Sequence, residues 1–292
     1  MSFRKVVITK HCKLSYKNDY LIVRTEEINM IHLSEISHII LDTTAVSITA
    51  YLINELVKRK IGLVFCDEMH NPSSEVQALH GSHNSTKKIR KQVKWDDNNK
   101  AYYWQEIVKN KIRKQSEVLR LYRYLESAER LDQYVLETEP RDISNREGHA
   151  AKVYFNALFG MGFRRGNLDD VNSSLDYGYA ILLSTINKEV HSNGYITELG
   201  IQHKNEYNAF NLSCDLMEPF RPIIDKIILE NPSEIFDIDM KAKLINFTNS
   251  IVKYRGSNQT VSYVISSFIK LILNGLSKGE RVRVEMFDFI ES

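Results

Sequence analysis

The dominant hydrophobic period of this 292-residue chain changes near residue 89. Before that point apolar residues alternate. KLSYKNDYLIVR holds two short period-2 runs around Lys17-Asn18-Asp19, which predicts a hairpin. IHLSEISHIILD is isoleucine-rich and reads as further strand, and IGLVFCDE as a short buried one. SITAYLINELVKRK instead has helical spacing, at Ile48, Leu52 and Leu56, with a basic last turn. HNPSSEVQALHGSHNSTKK, residues 70–88, collects turn formers and predicts a turn or hairpin running out into a linker. Beyond it, apolar residues recur at three- and four-residue steps, first at Ile107, Val108, Ile112, Leu119 and Tyr122. AAKVYFNALFG, SSLDYGYAILLSTINKEV, PFRPIIDKIILE, DMKAKLINFTNSIVKYR and TVSYVISSFIKLILNGL follow the same rule. The expected fold class is α+β: a β-rich domain with linker over 1–86 and a larger all-α domain over 87–292.

No apolar run approaches the ~20 residues needed to cross a bilayer. The opening MSFRKVVITK lacks the apolar core of a signal peptide, so the expectation is a cytoplasmic protein without membrane partners. Cys12, Cys66 and Cys214 are too few and scattered for a disulfide framework or a zinc site, and read as small buried hydrophobes. The net charge of +2 hides a polarised distribution. Residues 87–123 carry twelve Lys/Arg against four Asp/Glu, whereas residues 124–292 carry eighteen against twenty-four. That belt is either a nucleic-acid footprint or a solvated face. Its first candidates are Lys87, Lys88, Arg90 and Lys91, followed by Lys94, Lys109, Lys111, Arg113, Lys114, Arg120 and Arg123. Arg164, Arg165 and Arg221 form a second candidate set. Trp95, Tyr102, Tyr103 and Trp104 interleave with the belt as stacking platforms or as helix core.

The stretch HKNEYNAFNLSCDLMEPFRP, 203–222, gathers His203 with the acids Asp215 and Glu218. On one straight helix His203 and Glu218 would lie ~22 Å apart. HKNEYN has no apolar stripe, however, so the chain can fold back there. Asp215 and Glu218, i and i+3, face the same way on a helix. Pro219 removes an amide donor and places Glu218 at a bend. A third acid, Glu147 in NREGHAAKVYF, precedes a glycine at the start of a predicted helix, where a carboxylate is stabilised. Two carboxylates and an imidazole suit Mg²⁺ or Mn²⁺ with positions left for water and phosphate. Each piece also has a plainer reading, as a surface histidine, a solvated acid pair and a helix-terminal charge.

The runs REGHAAKVYF (146–155), VNSSLDYGYAILLS (171–184), ELGIQHKN (198–205) and SCDLMEPFRPIID (213–225) resemble the signature blocks of the CRISPR-associated integrase family, in order and spacing. The PFR after the last acid is most similar to the form found beside single-protein (type II) effectors. The resemblance implies a β-sandwich-like N-terminal domain that mediates homodimerisation and a helical catalytic domain. It implies two such dimers bridging a small second adaptation protein in a four-plus-two complex, with effector-associated proteins as further partners. The family's metal-binding residues fall on Glu147, His203 and Glu218, the last an aspartate in many relatives. Asp215 matches a nearby acid of the catalytic group, read as supporting the ligands or facing substrate. The implied reaction is attack of spacer-DNA 3′-hydroxyls on phosphodiesters at the borders of a double-stranded repeat. Two competing readings are a metal-dependent nuclease or branched-DNA resolvase that does not join, and a DNA-binding scaffold without catalysis.

Overall fold

The structure, a computed structural model, describes residues 4–68, 70–78, 82–167, 169–232 and 236–290. It divides into two compact units, Met1–His83 and Asn84–Ser292. Residues 79–81 of the expected linker lie outside the described residues.

In the first unit the alternating runs become β1 (Arg4–Ile8), β2 (Cys12–Lys17), β3 (Tyr20–Arg24), β4 (Ile28–His32), β5 (Ile36–Leu41) and β6 (Val46–Ile48). Then follow α1 (Ala50–Lys58), β7 (Gly62–Cys66) and β8 (Pro72–Glu75). The strands form two sheets, ordered β1-β5-β7-β8 and β4-β3-β2-β6. The hairpin at Asn18-Asp19 closes in two residues, both with positive φ, the geometry that matches strand twist. Leu14, Leu21 and Val23 from one sheet, Val6, Ile39 and Leu63 from the other, and Leu52 and Leu56 of α1 belong to one apolar core. The start of 70–88 is thus the antiparallel edge strand β8 on β7.

The second unit contains α2 (Ser85–Gln92), α3 (Asp97–Leu121), α4 (Leu125–Glu137), α5 (Arg146–Phe159), α6 (Asp170–Ser192), α7 (Asn211–Met217), α8 (Arg221–Glu230) and α9 (Ile238–Ile245). It ends with the hairpin β9 (Ile251–Tyr254) and β10 (Ser257–Thr260), and α10 (Val261–Lys278). α3 packs against α4, α5, α7 and α8 and is buried on most of its circumference, which makes it the axis of this unit. The hairpin corrects one sequence expectation. DMKAKLINFTNSIVKYR was expected as one helix, but the helix stops at Ile245 and a 3₁₀ turn covers Asn246–Asn249. From Ile251 burial alternates, with Val252 and Tyr254 inward, and Arg255-Gly256 closes the turn with positive φ at both residues. A period-2 stretch of four residues is masked in sequence by the helical one before it. The helical unit therefore carries a small β appendage.

Candidate active site

Four elements bring the site together. Glu147 lies in the first turn of α5. The preceding loop caps that helix: Asp142 accepts the backbone N–H groups of Arg146 and Glu147 at 2.8 and 2.9 Å, and Asn145 accepts that of Gly148. A Cβ on Gly148 would meet Asn145 Oδ1 at 2.7 Å, so the glycine admits the cap. Glu218 begins a 3₁₀ turn, Glu218–Phe220, that joins α7 to α8. Pro219 and Pro222 supply no amide hydrogen where one helix ends and the next begins.

Lys111, from the middle of α3, reaches both acids. Its Nζ is 2.6 Å from Glu147 Oε1 and 2.5 Å from Glu218 Oε2. Arg221 Nε donates to the other oxygen of Glu218 at 2.9 Å. Glu218 is buried, and Oε2 has no directed hydrogen bond, its counter-charge being the Lys111 ammonium. Burial alone pushes the Glu218 carboxyl up, but Arg221 and Lys111 outweigh it and hold the group below the usual range. The same balance acts on Lys111. Burial favours the neutral amine, while Glu218 and Glu147 more than offset this and raise its affinity for a proton.

His203 lies in the polar loop before α7. Asp215, fully buried, accepts backbone N–H groups from Ile201, Gln202 and His203 at 2.5, 3.0 and 3.1 Å. It also contacts His203 Nδ1 at 2.5 Å, a bond that raises the imidazole's affinity for a proton; Glu218 and Glu147 add to this electrostatically. Gly200 is required for so tight a wrap, since a Cβ there would stand 2.4 Å from the His203 carbonyl oxygen. Trp104 of α3 packs edge-on against the imidazole, with centroids 5.6 Å apart. Nδ1 is committed to Asp215, which leaves Nε2 to face a ligand. Asp215 is thereby spent on holding the loop and the ring.

Among the described residues no three His, Cys, Asp or Glu side chains already surround one point as a metal would require. The Lys111 ammonium is placed between two of them. The donor set nevertheless suits a hard divalent cation: two carboxylates meeting on one positive charge, a Glu218 oxygen without other donors, and an imidazole with one nitrogen already oriented.

The basic belt is only partly a surface. Lys87, Arg90 and Lys91 of α2 are exposed. Lys88 is half-buried and donates to the Asn193 carbonyl at 2.8 Å. Lys111 and Lys114 are buried in ion pairs, which corrects their reading as phosphate contacts. Trp95, Tyr103 and Trp104 are buried too and serve as core, not as stacking platforms. Arg164 and Arg165 are exposed, with Arg165 paired to Asp176 at 2.5 Å, whereas Arg221 is turned inward to Glu218. Lys111 was missed as a member of the site. Its signal is positional, since it lies one turn after Ile107 and Val108 on the stripe of α3 that should be apolar.

The model of the CRISPR associated protein Cas1 family matches residues 6–234. A CRISPR-associated endonuclease Cas1 from Neisseria meningitidis is 32% identical over 230 residues, covering 78% of this chain and 76% of its own. Another from Thermus thermophilus is 36% identical over 101 residues, 32% of each chain. Among solved structures, a casposase bound to integration product superposes with a TM-score of 0.77 at 18% identity, covering 96% of this chain and 92% of its own. A Cas1 protein from Thermotoga maritima gives 0.74 at 15% identity, with 95% and 98% covered. A Cas6-RT-Cas1–Cas2 complex gives 0.73 at 19% identity over 98% of this chain and 36% of that one. The chain belongs to the Cas1 family of CRISPR-associated proteins.

Proposed function

We propose that this protein is a divalent-metal-dependent DNA integrase of CRISPR adaptation, with Glu147, His203 and Glu218 holding Mg²⁺ or Mn²⁺. The observation that carries the reading is the meeting of Glu147 and Glu218, 71 positions apart, on one buried ammonium beside an oriented imidazole. A bound ion would polarise the reacting phosphate and stabilise charge developing on it. The chain's own groups do the rest. Asp215 fixes the His203 tautomer with Nε2 outward. Arg221 fixes one oxygen of Glu218 and leaves the other for the ligand. Lys111 neutralises the carboxylates until a stronger cation or a phosphate arrives.

A 3′-hydroxyl of a short duplex attacks a phosphodiester in the repeat. One P–O bond forms, another breaks, and a 3′-hydroxyl leaves, so no side chain becomes covalently attached. The relatives from Neisseria meningitidis and Thermus thermophilus are named endonucleases and one structural neighbour is bound to an integration product, which supports cutting and joining as one chemistry. Neighbours solved as complexes with Cas2 support a Cas2-like partner, and we place this chain in a four-plus-two assembly with it. Homodimerisation through residues 1–86, a type II effector setting and a cytoplasmic location complete the proposal; no described helix is long and apolar enough to cross a membrane. Double-stranded DNA would meet Lys87, Arg90, Lys91, Arg164 and Arg165.

The test is strand transfer of a labelled duplex into a repeat-bearing plasmid, with Cas2 partner, with and without Mn²⁺. Joined product that requires Mn²⁺ supports the proposal. Metal-dependent cleavage without joining would favour a nuclease, and DNA binding without either product a scaffold.

A further inference from the structure

Behind the carboxylates lies a buried acid that the proposed reaction does not use. Asp225 is one turn beyond Arg221 on α8 and is 1% exposed. Both its oxygens are occupied: Tyr179 donates its O–H to Oδ1 at 2.6 Å, and Tyr154 to Oδ2 at 3.0 Å. The phenols come from α6 and α5, so Asp225 ties three helices at one point. α5 carries Glu147 two turns before Tyr154, and α8 follows directly on the turn that carries Glu218. Asp225 and Tyr179 also line, with Lys111, Arg165 and Arg221, a cavity of about 150 Å³.

The arrangement is directional. The Tyr179 hydroxyl is committed to Asp225, which fixes the ring. The Arg221 guanidinium lies 4.5 Å from that ring's centroid, and its Nε donates to Glu218 Oε1 at 2.9 Å. Oε2 is the oxygen left on Lys111, whose ammonium also holds Glu147. A buried carboxylate is costly, and a packed apolar side chain would join the same helices without that cost. Its presence behind the site therefore calls for a role beyond packing.

We propose that Asp225 is a positioning residue of the active site. Through Tyr179 and Arg221 it selects the Glu218 oxygen presented to the ion, and through Tyr154 it holds the helix that presents Glu147. The inference rests on the reading of Glu147, His203 and Glu218 as ion ligands. Asp225 acts as an acceptor. Burial pushes its carboxyl up to about 6, against the two phenol donors, Arg221 and Lys111, which favour the ionised form. The charged and titratable groups around it are Tyr154 on α5, Tyr179 on α6, Lys111 on α3, Arg221 on its own helix and Arg165 across the cavity.

The experiment is a Mn²⁺ titration of the full-length protein without DNA, following free Mn²⁺ by electron paramagnetic resonance. Tyr179→Phe keeps the ring under Arg221 and removes only the hydroxyl, so it is the mildest probe. Asp225→Asn removes the charge. Each should weaken Mn²⁺ binding by roughly 10–100-fold, the range for partners that orient metal ligands. In strand transfer the same variants should lower kcat with KM for DNA unchanged. Should both variants bind Mn²⁺ like wild type, with or without a lower melting temperature, Asp225 is a packing residue and the inference is overturned. The control is Glu218→Gln. Mn²⁺ binding that this change weakens but neither Tyr179→Phe nor Asp225→Asn weakens overturns the inference alone. Binding that Glu218→Gln leaves unaltered overturns the ion-ligand reading and the inference with it.

Discussion

The carboxylate pocket around Lys111 and the clasp around Lys114 lie one turn apart on α3, and each is built on a buried ammonium. In the clasp, Lys114 meets Glu117, the Phe287 carbonyl and Asp288. Its acids are part-exposed to exposed, at 31% and 70%, and water shares in screening them. The clasp ties the C-terminal segment to α3, with Phe287 stacked against Phe220 and Asp288 bridged to Lys253. In the pocket, Lys111 faces two acids that are less exposed, at 24% and 5%, from elements distant in sequence. Each ammonium has partners, so burial of a lysine does not by itself mark function. The difference is that the pocket concentrates negative charge beside an oriented imidazole, whereas the clasp disperses it.

The largest effect should come from removing the two ammonium groups in turn. Lys111→Met leaves two carboxylates facing each other and should destabilise the metal-free protein by about 3–5 kcal/mol, the cost of breaking a buried pair. Millimolar Mn²⁺ should restore most of that loss, because an ion held by Glu147 and Glu218 as proposed would bind only the folded state. Lys114→Met strands a carbonyl and should cost about 1–3 kcal/mol, with no recovery on adding Mn²⁺. Denaturant melts with and without Mn²⁺ read both. Equal responses to the ion would erase the distinction between pocket and clasp.

A smaller effect sharpens the comparison behind Lys111. Burial pushes the Asp225 carboxyl up to about 6 in the folded protein, against an ordinary 3.8. The folded state therefore holds more protons than the unfolded chain between about pH 4 and pH 6. The contribution of Asp225 to stability should fall as pH rises through that window, and the loss should persist above it. The shift of about two units corresponds to roughly 3 kcal/mol at most. Asp225→Asn should lack this slope and be at least as stable as wild type near neutral pH, while binding Mn²⁺ more weakly. A variant that loses stability at pH 7 with unchanged Mn²⁺ affinity would make Asp225 a second clasp.

The smallest effect concerns DNA. Each phosphate contact adds about 0.9 to the slope of log affinity against log salt. Lys87→Ala with Arg90→Ala should reduce its magnitude by about 1.8 if both meet phosphate. Lys111→Met and Lys114→Met should leave it unchanged, since neither lysine is presented to solvent. A slope that follows the buried lysines instead would return them to the footprint.

Much of this was legible because the chemistry is local. Alternation around Asn18-Asp19 specifies its hairpin, and Pro219 behind Glu218 specifies the break that seats the acid. The polar loop before α7 could be read as folding back, because HKNEYN offers no face to bury. Lys111 was not legible as part of the site. A lysine within a basic run is ordinarily solvated, and only its place on the buried stripe, with acids arriving from α5 and the turn before α8, reverses that. The β9–β10 hairpin was hidden because four alternating residues after a helix look like its last turn. Trp95 and Trp104 were ambiguous for a similar reason, since an amphipathic aromatic packs as well on protein as on a base.

The most direct test of the central claim is gel-resolved joining of a labelled duplex in Mn²⁺ by Glu147→Ala, His203→Ala and Glu218→Ala, alongside a DNA-binding titration at the same salt. On the proposed reading affinity would arise from many distributed contacts, and the ion would act on the one reacting phosphate. Each variant should therefore lose joining by more than the roughly 100-fold reached when only a supporting partner is changed, while binding DNA about as well as wild type. Glu218→Asp, which keeps a hard oxygen one methylene shorter, should retain part of the activity. Joining at the wild-type rate by any of the three alanine variants would contradict the three-ligand site.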